Sequence, residues 1–143
     1  MKKLGNNFWF IVFLTSLFTV LSCKEDTYTV TYIYENTLEQ TVTVEFFYGV
    51  AYELYDKLVI PPHESKSVSW LRYERETDFE NIGTIKLTFE DGKWVSYYNN
   101  HEAMKSATNL FGLRVYEGNR SERVWKAKIT EAHYKEALGG EKS

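Results

Sequence analysis

Thiols are nearly absent: Cys23 is the single cysteine in 143 residues, so the chain can form neither an internal disulfide nor a cysteine metal site. Its folded stability must therefore come from its core. Histidine is also scarce. His63, His101 and His133 lie 38 and 32 residues apart, whereas a structural zinc site wants closely spaced ligand pairs. They read as scattered surface residues, and no metal is expected. No Gly-x-Ser-x-Gly elbow is present, which removes the simplest signature of a nucleophilic serine. Positive charge is in deficit, 17 basic against 20 acidic residues for a net charge of −3. That balance offers no clustered basic face of the kind nucleic acid requires. Long apolar runs are missing too. The longest, Phe8 to Phe18, has 11 residues, and only 14 when stretched to Leu21, short of the ~20 that cross a bilayer core.

What that short run does fit is a secretory signal. Lys2 and Lys3 supply a positive start, and the apolar core lies within the roughly 7–15 residues of a signal h-region. It ends at Val20-Leu21-Ser22-Cys23, which resembles a bacterial lipobox: an aliphatic residue three before the cysteine and a small one just before it. The resemblance implies cleavage after Ser22 and a diacylglycerol on the Cys23 sulfur, often with a further acyl chain on the new amino group. Two or more chains hold a protein stably on a membrane, at roughly 0.8 kcal/mol per buried CH₂, where one holds it only marginally. Lys24-Glu25-Asp26 follows and resembles the lysine-plus-acids signal that sends lipoproteins of Bacteroidota to the outer face of the outer membrane. A plain solvated tether would need the same hydration. Residues 1–22 are thus expected to be a signal peptide and 23–26 a lipidated cysteine with its tether. Without the signal the chain has 15 basic and 20 acidic residues.

From Thr27 the pattern changes to β. Thr27 to Tyr34 alternates Tyr28, Val30, Tyr32 and Tyr34 against Thr27, Thr29, Thr31 and Ile33, the period-two signature of a half-buried strand. Thr41 to Tyr48 alternates again across a polar turn, which predicts a hairpin. Ala51 to Ile60 is stopped by Pro61-Pro62, since proline has no N–H for a sheet ladder. Ser65 to Leu71 follows, predicting a second hairpin, and Arg72 to Asn81 reads as a solvated loop. Thr84 to Phe89 and Trp94 to Tyr98 flank Asp91-Gly92, a strong hairpin signal. Leu110 to Glu117 and Glu122 to Ile129 make a last pair around Gly118-Asn119. Thr130 then caps a predicted helix from Glu131 to Leu138, ended by Gly139-Gly140.

Eight short strands with regular turn signals predict an all-β fold, an antiparallel β-sandwich of the Ig-like or transthyretin-like kind with a short C-terminal helix. A closed barrel is the alternative. The domain is expected over residues 27–138, with a flexible tail over 139–143. EDGKWVSYYNN and KAKITEAHYKEAL resemble the C-terminal half of small lipoproteins of Bacteroidota, which end in a hairpin, a strand and a short helix. That likeness brings no catalytic residues and no cofactor.

Chemistry is thin on the ground. Glu74, Glu76, Asp78 and Glu80 crowd one predicted loop, but a glycosidase needs two carboxyls facing each other across a cleft. The compositional excess is aromatic: outside the signal remain three tryptophans, five phenylalanines and all 11 tyrosines. Most should pack the sheets as cross-strand pairs. Trp94, Tyr97 and Tyr98 are the candidate ligand or partner surface, because period two cannot bury both Tyr97 and Tyr98. The expectation is a non-enzymatic, lipid-anchored binding or structural module on the outer membrane, exposed at the cell surface. Its partners would be the membrane, through the anchor, and a glycan or an envelope protein. A periplasm-facing accessory or inhibitor subunit is the rival reading, and a small carboxylate-dependent hydrolase a third.

Overall fold

The computed structural model of the chain describes residues 27–49, 53–73, 79, 81–100, 105–112, 115–119 and 121–139. Residues 1–26, which hold the expected signal peptide and Cys23, lie outside the described residues, as do Glu74, Glu76, Asp78, Glu80, His101 and residues 140–143. Along the chain run β1 (Thr27–Asn36), β2 (Val42–Tyr48), β3 (Leu54–Ile60), β4 (Ser65–Tyr73), β5 (Ile82–Phe89), β6 (Trp94–Tyr98), β7 (Val115–Gly118), β8 (Glu122–Ile129) and α1 (Glu131–Gly139).

The strands form two four-stranded sheets, ordered β4-β1-β8-β7 and β3-β2-β5-β6, so the fold is a sandwich and not a closed barrel. Neither early hairpin forms. β1 and β2 lie in opposite sheets, as do β3 and β4; β1 instead pairs antiparallel with β4, and β2 with β3. The connections at 37–41 and 61–64 are therefore arches over the core. β1 also pairs with β8 in parallel, Thr29 opposite Glu122 through Asn36 opposite Ile129. That is the one parallel pairing between the described strands. The first two strands, which share a sheet in an immunoglobulin domain, are separated here.

Both late hairpins form as expected. At the β5–β6 turn only Gly92 takes a positive φ, 84°. Asp91 instead uses its Oδ1 to accept the Lys93 N–H at 3.0 Å. At the β7–β8 turn Gly118 has a φ of 136°, and Asn119 Oδ1 accepts from the N–H groups of Ser121 and Glu122. The predicted strand over Leu110 to Glu117 shortens to Val115–Gly118. Ahead of it, Leu110 and Phe111 leave the sheet pattern and plug the core.

The core follows the period-two reading. Tyr28, Val30, Tyr32 and Tyr34 of β1 face Val42, Val44 and Phe46 of β2, with Ile85, Leu87 and Phe89 of β5 beside them, all buried. Phe46 meets Trp70 edge-on at 5.2 Å between ring centroids and Tyr34 at 5.7 Å. Tyr32 packs on Trp70 and Phe79, and Phe79 on Phe111, at 4.7–4.9 Å. Such pairs contribute beyond their buried area.

The region from Arg72 to Asn81 is not wholly a solvated loop. β4 runs on through Tyr73, and Arg72 and Phe79 are both buried. Arg72 lies 5.4 Å from the Trp70 ring, so the indole face supports a guanidinium whose Nε and Nη2 have no hydrogen-bond partner among the described residues. On the β3–β4 side of the sandwich, Trp70 Nε1–H donates to Asp56 Oδ2 at 3.2 Å and ties the two sheets together. On the other side α1 packs against β6.

Candidate functional site

On a five-residue strand, residues 94, 96 and 98 share one face and 95 and 97 the other. In β6 the first set points away from the core. Trp94 is 57% exposed and Tyr98 45%, with the small Ser96 between them. Four residues of strand separate the two rings by about 13 Å along the chain. β5 supplies the neighbouring row, since Thr88 pairs with Trp94, Lys86 with Ser96 and Thr84 with Tyr98. β2 supplies the next, with Glu45 opposite Lys86.

The charges on this face are paired. Glu45 is shared by Lys57 at 3.5 Å and Lys86 at 3.9 Å. Lys86 also has its ammonium 5.4 Å from the Trp94 ring centroid, which holds the indole beside a cation. The face therefore presents two exposed rings with Ser96 and the Lys86 ammonium between them, while Thr84 is buried and the Thr88 hydroxyl is sealed from solvent. Such an arrangement can stack a flat ligand and hydrogen-bond its edges.

Tyr97 is turned the other way and drops out of the surface. It is buried, its hydroxyl donates to Glu136 Oε2 at 3.0 Å, and Thr108 Oγ1 donates to the same oxygen at 2.6 Å. Burial, reinforced by the Glu136 carboxylate, pushes the phenol well above its ordinary value. Tyr97 is thus a clasp between β6 and α1. Tyr134 makes a second clasp, donating to Asp91 Oδ2 at 2.8 Å and packing its ring on Phe89.

The histidines correct a further expectation. His63 is exposed, has a φ of 58° and lies 3.0 Å from Glu39. His133 is not a surface residue: it is 2% exposed and packs edge-on against Tyr97. Its Nδ1 accepts the Thr130 N–H at 3.1 Å and lies 3.1 Å from the Thr130 Oγ1, while the Thr130 carbonyl receives the His133 N–H. Thr130 is the N-cap of α1 as predicted, and His133 takes the place of the Glu or Gln of a capping box. The sequence signal for this was present in the three-residue spacing but the residue type was unusual for it.

Burial holds the His133 imidazole below its ordinary value, against the opposing pull of the Glu136 carboxylate. The unfolded chain, with its higher pKa of about 6.5, therefore takes up the proton first. The contribution to stability is whole above about pH 6.5 and is lost as the pH falls through the folded value. Urea unfolding at pH 7.5 and 5.0 should show wild type losing more stability on acidification than His133→Gln, which keeps a cap acceptor without a titrating ring. Equal losses would rule this out.

Among the described residues no group of three or more His, Cys, Asp or Glu side chains is placed to hold a metal ion. No helix among them is long and apolar enough to cross a membrane.

No protein-family model matches the chain, and no curated protein matches it. Among solved structures it is similar to the dioxygenase domain of a dioxygenase carbohydrate-binding protein fusion from the cellulolytic bacterium Streptomyces sp. SirexAA-E, at 10% identity and a TM-score of 0.44, over 77% of this chain and 83% of that one. A likeness of that degree carries no argument about function.

Proposed function

We propose that the chain is a lipid-anchored, non-enzymatic binding module of a bacterial outer membrane, displaying the outer face of β6 and β5 to a glycan or an envelope protein. The observation that carries the binding half is the pair Trp94 and Tyr98, two large rings left exposed on one face of an edge strand while most aromatics are in the core. Tryptophan and tyrosine dominate the energetics of binding surfaces because they bury much area with few rotatable bonds. The lipobox at Val20 to Cys23 carries the anchoring half, with acyl chains on Cys23 as the membrane attachment.

The test is a glycan array and an envelope-protein pull-down with the mature protein, followed by titration of whatever is retained. Trp94→Ala should weaken binding at least tenfold, the consequence of losing about 1.4 kcal/mol or more at an anchoring ring. Tyr97→Phe should leave affinity unchanged. Full binding by a Trp94→Ala/Tyr98→Ala double variant would refute the assignment of this face.

A further inference from the structure

We infer that the outer face of the β3-β2-β5-β6 sheet takes a short polysaccharide chain bearing acidic groups, carboxylate or sulfate. Lys57 and Lys86 hold the acid, and Trp94 and Tyr98 stack the sugar rings. This deepens, and rests on, the reading of the Trp94 and Tyr98 face as the binding surface.

The registers assemble one continuous surface. Val42, Val44 and Phe46 point into the core, so Thr43, Glu45 and Phe47 between and beyond them point out. Thr43 lies in a row with Val59, Thr88 and Trp94. Glu45 lies in the next row with Lys57, Lys86 and Ser96, and Phe47 in a third with Leu54, Thr84 and Tyr98. Eight large apolar side chains are exposed among the described residues, and four of them, Leu54, Val59, Trp94 and Tyr98, stand at the corners of these three rows. All four therefore share one face of one sheet.

The middle row carries the charge. Glu45 answers two ammoniums, Lys57 at 3.5 Å and Lys86 at 3.9 Å. Two positive charges against one negative leave that row one positive charge in excess, on a chain of net charge −3. Neither contact is as short as the roughly 2.7–2.9 Å of a charge-assisted hydrogen bond, so both ammoniums keep donors for a ligand. The neighbouring acids stand outside the rows. Asp56 turns inward to the Trp70 indole, Glu90 accepts the Thr41 N–H, and Asp91 accepts the Tyr134 hydroxyl. Glu53 lies past the Leu54 corner, ahead of β3.

Size and charge select the occupant. The rows span about 13 Å along β6 and about 14 Å across the strands, roughly 200 Å² in all. A standard protein interface takes about 800 Å² from each partner, so the patch suits a few sugar rings better than a folded protein. A pyranose has an apolar C–H face to lie on an indole or phenol, and a hydroxyl rim within reach of Ser96 and the two ammoniums. A neutral sugar leaves the excess ammonium unanswered, whereas an acidic one complements it. Lys86 lies 5.4 Å from the Trp94 ring centroid, which places that acid beside a stacked ring. A nucleic acid, charged at every unit, would need a broader basic surface.

The test titrates the mature protein by calorimetry with three hexasaccharides that all contain N-acetylglucosamine. Hyaluronan hexasaccharide carries carboxylates, keratan sulfate hexasaccharide carries sulfates, and chitohexaose is neutral. At least one acidic chain should bind tenfold or more tighter than chitohexaose, and the one that does names the acid. That advantage should shrink as NaCl rises from about 0.05 to about 0.5 M. Lys57→Gln/Lys86→Gln should lose at least tenfold toward the acidic chain, while Lys57→Arg/Lys86→Arg keeps it. Should the glutamine variant fail to fold, the wild-type preference and its salt dependence still decide. Equal binding of chitohexaose, no binding of either acidic chain, or full acidic binding by a folded glutamine variant overturns the inference. Neutral binding that Trp94→Ala/Tyr98→Ala abolishes removes the acid and leaves the proposed face standing. A protein captured through those two rings removes the glycan and also leaves the face. Acidic binding that survives the loss of both rings refutes the face itself.

Discussion

Asn36→Ala is expected to cost about 3 kcal/mol or more of folding free energy, read as a fall in the urea midpoint at unchanged slope. Asn36 is fully buried at the end of β1, at the far end of the sandwich. Its Nδ2 donates to the carbonyls of Gln40 at 2.8 Å, Ile60 at 3.1 Å and Pro61 at 3.0 Å. Its Oδ1 accepts the Leu38 N–H at 3.0 Å. One amide thus joins the arch between β1 and β2 to the arch between β3 and β4. Alanine would leave several of those backbone groups without a partner, and each buried orphan costs about 1–3 kcal/mol. Asn36→Asp should do worse than alanine at neutral pH, because it replaces a donor with a charge facing three carbonyl oxygens. A wild-type midpoint for either variant would show that the arches do not depend on this residue.

Phe46→Ala should cost about 3–5 kcal/mol, the range for emptying an aromatic from a packed core. Phe46 is 0% exposed and sits between Tyr34 of the facing sheet and Trp70, at 5.7 and 5.2 Å. Those rings belong to rigid strands and cannot close the gap, so the cavity would persist. Phe46→Leu should fall between alanine and wild type. The neighbouring Phe47→Ala, on the other face of β2, should cost much less. Denaturant unfolding of the three variants checks the order, and equal losses at 46 and 47 would contradict the assignment of faces.

Phe46 and Asn36 differ in how far their roles could be read in advance. The alternation of Val42, Val44 and Phe46 announced a buried face, because in a strand successive side chains point to opposite sides whatever they pack against. The same rule said that Tyr97 and Tyr98 could not both be buried, but it left Trp94, Tyr97 and Tyr98 together as candidates until the sheet turned Tyr97 inward. Asn36 looked like an ordinary turn residue. Its importance comes from Ile60 and Pro61, more than 20 residues away, whose carbonyls it meets only because two arches stack. His133 was misread as a surface residue for a similar reason: the polar sequence around it gives no sign that Tyr97 covers its ring.

Local chemistry was enough to set the β character, the late hairpins at Gly92 and Gly118, and the Thr130 cap of α1. These depend on backbone preferences and neighbours a few residues apart. The choice of strand partners was settled only in three dimensions. A five-residue polar link suits a hairpin and an arch equally, and nothing near Thr27 announces a parallel partner that begins at Glu122. Which face of β6 meets water was likewise decided by the sheet it lies in. The physical reason is that pairing and burial are relations between distant segments, fixed by how two sheets enclose one core, whereas alternation, turns and caps are properties of a few consecutive residues.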